Sequence, residues 1–430
     1  MKKQLIKNIF SVSGVQLANY ILPLITIPYV VRVIGPANYG LINFAQAFVG
    51  YFALLINYGF ELTATREIAR NKEDRGVLSD IFWMILSAKV ILFIFSTIIF
   101  AGSLLYFQKL QIDPRLYVLS YLCNIGLVFF PTWFFQGIEE LSKMAIFNLI
   151  IKLIFTVLIF MLIHQSSDYY FYPVCLFIGQ IAVGFFALWY AVKLKHLSLP
   201  NFKMAGIIKV LREGAVVFIT TVVINIYTLS NIVLLGFIAS DMEVGYFSSA
   251  YKLISIIMAI TITPITQTLY PHLGGLFSNS SMSKSEKSYI LLRVSLVMGV
   301  LMLLVSMAIY IVAPLVVTLL FGKNYSPAIS SLRIMSFLPF IIGLSNVFGL
   351  QGMLNLSLDK EFFMITAMGA TLCIILNFIL IPYYSQIGTS TAWLATELFI
   401  TLATLIVLQY HGYEILTKNN FVRMIENRHW

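Results

Sequence analysis

Residues 9–33, IFSVSGVQLANYILPLITIPYVVRV, decide the fold class: the stretch holds no acid and one base, Arg32. As a helix rising 1.5 Å per residue it spans about 37 Å, more than the roughly 30 Å hydrocarbon core of a bilayer. Met1-Lys2-Lys3 ahead of it imitates a secretory leader. The apolar run is too long for a leader, and no small-x-small cleavage site follows. It reads as an uncleaved first membrane span.

Comparable runs recur to the end of the 430 residues, which are 60% hydrophobic and 11% charged, with a mean hydropathy of +0.90. Soluble domains carry about 25% charged residues, and no polar stretch here is long enough to fold as one. Cys123, Cys175 and Cys373 lie singly in different spans, and the five histidines are scattered. Neither a disulfide framework nor a metal site is indicated, and no cofactor is called for.

Twelve spans are expected, at about 7–33, 37–60, 78–106, 116–137, 144–164, 169–192, 213–239, 244–276, 289–321, 328–355, 362–383 and 388–410. An even number puts both termini on one side. With that side cytoplasmic, and Lys7 at the edge of the first span counted with the tail, nineteen of the 28 Lys and Arg fall in cytoplasmic segments and three in the opposite loops. This is the positive-inside bias of a chain with both ends in the cytoplasm. The expected class is an all-α membrane protein.

The remaining six bases lie within spans: Arg32, Lys89, Lys152, Lys252, Arg293 and Arg333. A base at the centre of a lipid-embedded helix costs about 2.5–3.5 kcal/mol on insertion scales, so such residues turn to a bundle interior or a watery cavity. A cavity lined by cations suits an anion. Lys89 and Lys152 lie near mid-span and Lys252 somewhat less deep, whereas Arg32, Arg293 and Arg333 are close enough to span ends to snorkel to the interface. Glu397 is the one clear embedded carboxylate and Glu61 lies at a cytoplasmic boundary. Glu397 reads equally as a proton- or sodium-coupling group and as a structural partner of a base, and Glu61 is a second candidate for ion coupling. Pro23, Pro28 and Pro264 are kinks or hinges within spans.

The halves echo one another. Tyr39-Gly40-Leu41-Ile42-Asn43-Phe44-Ala45 returns about 205 residues later as Val244-Gly245-Tyr246-Phe247-Ser248-Ser249-Ala250, and Phe135-Gln136-Gly137 returns as Leu350-Gln351-Gly352. Six spans per half would give two lobes of one orientation, with a path between them. The expected division is a lobe over 1–195, a cytoplasmic linker over 196–212 and a second lobe with its tail over 213–430. Lys203, Lys209 and Arg212 among Phe202, Ile207, Ile208 and Leu211 suit a linker helix lying in the interface or a plain basic loop.

Three motifs carry a resemblance. Gly35-Pro36-Ala37-Asn38-Tyr39-Gly40 resembles the GPxxYG turn of Wzx-type polysaccharide repeat-unit flippases, of the multidrug/oligosaccharidyl-lipid/polysaccharide (MOP) exporter superfamily. Pro131-Thr132-Trp133-Phe134-Phe135-Gln136-Gly137-Ile138-Glu139 is similar to that family's aromatic-QG-acidic signature. Leu320-Phe321-Gly322-Lys323-Asn324-Tyr325, with Ala328 and Leu332-Arg333-Ile334, is similar to its segment between spans nine and ten. Glu213-Gly214-Ala215-Val216 departs from the pattern in lacking a proline after the glycine.

The resemblance implies two six-helix lobes in a MATE-like fold in the bacterial inner membrane. It also implies a cargo of O-antigen or related oligosaccharide units on undecaprenyl pyrophosphate, moved to the periplasmic leaflet by alternating access. The six bases would then meet the diphosphate, and Trp133, Gln136 and Gln351 would touch sugar or anchor span ends at the interface. Implied partners are membrane lipid, a polysaccharide polymerase and a chain-length regulator; nothing calls for nucleic acid. Rival readings are a MATE-like exporter of another substrate and a membrane enzyme of polysaccharide assembly. The latter is disfavoured, because every periplasmic loop is short and no catalytic constellation stands out.

Overall fold

The computed structural model describes residues 2–195, 197–198, 204–278, 281–417 and 420. Residues 196 and 199–203 of the expected linker, and the basic C-terminal tail with Lys418, Arg423 and Arg428, lie outside them. No strand occurs among the described residues. In chain order the helices are α1 (Lys2–Asn57), α2 (Phe60–Arg70), α3 (Arg75–Tyr106), α4 (Gln108–Ile112), α5 (Pro114–Phe129), α6 (Thr132–Gly137), α7 (Leu141–Leu162), α8 (Phe171–Lys195), α9 (Met204–Ile238), α10 (Asp241–Phe277), α11 (Lys284–Phe321), α12 (Ala328–Met335), α13 (Leu338–Asn346) and α14 (Asp359–Tyr410). The chain packs as two units, Met1–Leu229 and Ser230–Trp430.

Among the described residues nine helical stretches are long and apolar enough to cross a membrane, or ten if a bent pair within α9 counts as one. Two of them, Leu22–Arg70 and Asp359–Tyr410, run for 49 and 52 residues. At 1.5 Å per residue each is about 75 Å long, over twice a hydrocarbon core. Both contain a backbone break. In α1 it is Gly35, with φ 77° and ψ 170°, just ahead of Pro36. That region of φ/ψ is open essentially to glycine alone, which is why the GP turn needs Gly there. In α14 it is Ser385, at φ 47° and ψ −124°, three residues after Pro382.

Helices dominate because a bilayer offers no water to unsatisfied backbone groups. Where the helices stop, side chains take over. Asp74 accepts from the N–H groups of Gly76 and Val77 at the start of α3. Ser283 and Glu286 form a reciprocal capping box on α11. Asp113, at the start of α5, accepts from the hydroxyls of Tyr169 (2.9 Å) and Tyr170 (3.0 Å). That fastens the 3-10 turn Ser166–Tyr170 ahead of α8 to α5.

Unit 1 has an aromatic core in which Phe60, Phe82, Trp133, Phe134, Phe135 and Phe147 pack together. Ile207, Val210 and Leu211 of α9 pack on the same core, and Phe218 stacks on Tyr58 at 4.5 Å. Unit 2 is built on Leu291, Leu292, Met298, Phe348, Ile400 and Leu408. Large apolar side chains also cover outer faces, among them Ile98 and Leu105 of α3 and Ile311, Leu315 and Leu319 of α11. Exposed apolar surface on this scale suits lipid rather than water.

The two QG echoes occupy similar places within their units. Phe135-Gln136-Gly137 ends α6, a short helix set off from α5 by Pro131 and followed by Glu139 at φ 62°. Leu350-Gln351-Gly352 lies in the π-helical turn Val347–Met353, which leads to Ser357 at φ 59°. In both units a distorted helix closes on a left-handed residue.

Candidate functional site

In unit 1 the site builds around Lys89. It lies fourteen residues after the first residue of α3, or about 21 Å along the helix, and is 2% exposed. Its ammonium donates to the Leu127 carbonyl at 2.8 Å. That carbonyl is in the last turn of α5, and the residue four positions on is Pro131, which has no N–H to give. A proline therefore frees an acceptor at the negative end of a helix dipole, and a buried cation takes it. Glu61 of α2 is the carboxylate whose charge reaches Lys89.

Leu127 also lines a cleft of about 290 Å³ within unit 1, with Gln46, Ser120, Cys123, Asn124 and Gln180 as its polar lining. No charged side chain is among the lining. Ser120 and Asn124 are 3% and 4% exposed, yet the Ser120 Oγ and the Asn124 Nδ2 have no hydrogen-bond partner. Orphaned polar atoms of this kind are costly unless a visiting group or water completes them.

Unit 2 holds a second polar cluster. Asn377 Nδ2 donates to Asn231 Oδ1 at 2.8 Å and to the Cys373 carbonyl at 2.8 Å. The Cys373 thiol reaches the same Asn231 oxygen at 3.3 Å and the Thr396 hydroxyl, with the Glu397 carboxylate acting on it electrostatically. Glu397 is 6% exposed and accepts from the Trp393 indole N–H at 3.2 Å. The Asn377 Oδ1 is buried without a donor. The cluster thus gathers amide, hydroxyl and carboxylate oxygens from α9 and both halves of α14.

The other bases are spread over the two units. Lys152 is half-buried on α7, and Arg32 and Lys252 are exposed on α1 and α10. Arg293 is half-buried, with its guanidinium 5.9 Å from the Tyr289 ring. Arg333 is exposed in the last turn of α12, with its guanidinium 5.2 Å from the Tyr310 ring.

Among the aromatic-polar residues, Trp133 is 1% exposed, tilted against Phe82 at 5.4 Å. Gln136 is half-buried and accepts from the Thr65 hydroxyl at 3.3 Å. Gln351 is 1% exposed and donates to the Thr266 carbonyl at 3.1 Å. Gly137 has its reason in packing, since a Cβ there would lie 2.4 Å from Ile68 Cγ2 of α2.

Sequence reasoning missed Asn231, Asn377, Ser120 and Asn124. The available signal was a lone amide or hydroxyl inside an apolar run, which a search led by charge passes over.

The architecture is that of a known class of multi-pass membrane transporters. Its backbone is similar to that of a structure titled "Lipid II flippase MurJ, inward closed conformation", with a TM-score of 0.73 and 12% identity over 96% of this chain and 91% of that one. An inward-facing MATE-family multidrug resistance transporter of the MOP superfamily matches with a TM-score of 0.71 and 14% identity, over 92% of this chain and 94% of that one. In sequence, residues 5–277 match the polysaccharide biosynthesis protein family. A protein of Escherichia coli (strain K12) named "Putative O-antigen transporter" is 30% identical over 93% of this chain and 95% of its own length. The chain belongs to the polysaccharide biosynthesis protein family.

Proposed function

We propose that the protein is an inner-membrane flippase that moves oligosaccharide units on undecaprenyl pyrophosphate from the cytoplasmic to the periplasmic leaflet by alternating access. The observation that carries the reading is the buried ammonium of Lys89 midway along α3. It sits in a chain whose relative is named for O-antigen transport and whose backbone resembles a lipid II flippase. Lysine presents three donors and no fixed geometry, which suits a diphosphate that must slide past it. Lys152, Lys252, Arg32 and Arg333 are the further bases proposed to meet the diphosphate; Arg293, set in an apolar groove of unit 2, is excepted. An anion leaving a negative cytoplasm moves downhill by about 2.3 kcal/mol per charge per 100 mV.

Sugar contacts belong at the neutral cleft of unit 1. A hydroxyl both donates and accepts, and so complements the Ser120 hydroxyl and the amides of Gln46, Asn124 and Gln180. Trp133 and Gln351 are engaged in the core and on the α10 backbone. Glu397, with Asn231, Asn377 and Thr396, is the proposed site of proton or sodium coupling, because hard cations take oxygen ligands. Glu61 serves as the counter-charge of Lys89. Two crossings each from α1 and α14 give twelve in all. The lobes would be 1–195 and 213–430, joined through 196–212, with both ends cytoplasmic.

Loss of the gene tests this reading in the host bacterium. Lipid-linked repeat units should accumulate on the cytoplasmic side while surface polysaccharide falls. Normal surface polymer without accumulation, together with sensitivity to small cationic drugs, would instead favour the exporter reading, for which the embedded carboxylate of Glu397 speaks.

A further inference from the structure

Within unit 2, α10 and α11 enclose a groove of about 350 Å³ that is apolar except at two places, His272 and Arg293. No carboxylate lies in its lining. His272 is five residues before the end of α10 and Arg293 nine after the start of α11, about 8 Å and 13 Å from the connecting loop. The same loop end carries Lys284 and Lys287, whose ammonium groups cap the His411 and Phe277 carbonyls. Away from the loop the groove continues along Leu269, Val297, Ile265 and Leu301. Along one line it therefore runs from a basic edge to a wholly apolar floor.

We infer that this groove is a binding site for an anionic phospholipid, with its phosphate at Arg293 and His272 and one acyl chain along Leu269, Val297 and Leu301. Three observations favour that occupant. Basic pockets between transmembrane helices near the cytoplasmic surface attract acidic head groups. α10 and α11, 37 and 38 residues long, each exceed a hydrocarbon core of about 30 Å by roughly 25 Å, which puts a basic pair this close to their shared loop end at the edge of that core, beside bilayer phosphates, whereas a transported diphosphate must leave that edge to cross. The Tyr289 ring beside the guanidinium orients that cation through its π face. The inference goes beyond the flippase reading, because it concerns a resident lipid rather than the cargo.

Native mass spectrometry of the full chain, titrated with phosphatidylglycerol and with phosphatidylethanolamine, tests it without any transport step. The wild type should retain phosphatidylglycerol about 25-fold better, the order expected of two basic groups near a lipid head. Arg293→Gln should reduce that preference about fivefold, as one base is worth about that much. Val297→Trp, at a side chain already 47% exposed, should displace the bound lipid by filling the groove while leaving its charge and the core intact. An unchanged preference in Arg293→Gln would overturn the assignment, as would unchanged retention in Val297→Trp. Displacement of phosphatidylglycerol by an equal concentration of undecaprenyl phosphate would overturn the phospholipid as occupant.

Discussion

Lys89→Met should lower the thermal stability of the purified protein by several degrees and reduce polysaccharide export by tenfold or more. The stability arm follows from Leu127. Its carbonyl has no backbone donor at Pro131, and the ammonium at 2.8 Å is what satisfies it. Methionine fills much the same space but donates nothing, so a buried acceptor is orphaned at a cost of about 1–3 kcal/mol. The export arm rests on charge: in a path poor in water, one compensating cation is worth more than the roughly 1.4 kcal/mol that changes a rate tenfold. Lys89→Gln separates the two effects, since it keeps an N–H donor and loses the charge. Recovered stability with export still lost would mean that the charge is needed. Recovery of both would leave Lys89 a helix cap and no more. A melting scan in detergent and a surface-polysaccharide assay read the two arms.

The second large effect is expected at the crossing of α5 and α8. A Cβ on Gly184 would lie 2.7 Å from the Gly126 carbonyl oxygen, and one on Gly126 would lie 2.6 Å from the Gln180 carbonyl carbon. Both obstacles are backbone, so no rotamer change relieves them. Gly184→Leu must push the helices apart, and Gln180 and Asn124 of the cleft would move with them. Overpacking costs about 1–3 kcal/mol even where side chains can yield; here the cost should exceed that range. The expected result is little or no protein in the membrane fraction. Gly102→Ala is the control. Nothing lies within 4 Å of its Cβ position, and the gain in helix propensity is about 0.8–1.0 kcal/mol. Normal expression and melting of Gly184→Leu would refute the close crossing.

How much of this was legible in the chain depends on the range of the interaction. The break at Gly35 could be read from Gly-Pro alone, because the constraint is local. The break in α14 falls in the gap between the expected spans 362–383 and 388–410, but Ser385 as its residue could not be read, since serine seldom takes a positive φ. Lys89 stands out as a base in an apolar helix. Its partner does not, being a carbonyl 38 residues away that is free only because of Pro131. Trp133 reads from sequence as either an interfacial anchor or a sugar platform. In the short helix after Pro131 the tryptophan is part of the core, and hydropathy does not distinguish that place from the other two. Asn231 and Asn377 meet through tertiary packing alone, and as neutral amides they carry no charge to mark them.

The central claim is that this chain turns lipid-linked oligosaccharides across a bilayer with the help of Lys89. The direct measurement uses proteoliposomes holding the purified chain and a fluorescent oligosaccharide on an undecaprenyl pyrophosphate carrier, with the label in the outer leaflet quenched or enzymatically removed over time. Rapid exposure of the inner-leaflet label is expected in wild-type vesicles, and at least a tenfold slower rate with Lys89→Gln. Exposure no faster than in protein-free vesicles, or equally fast with Lys89→Gln, would contradict that claim.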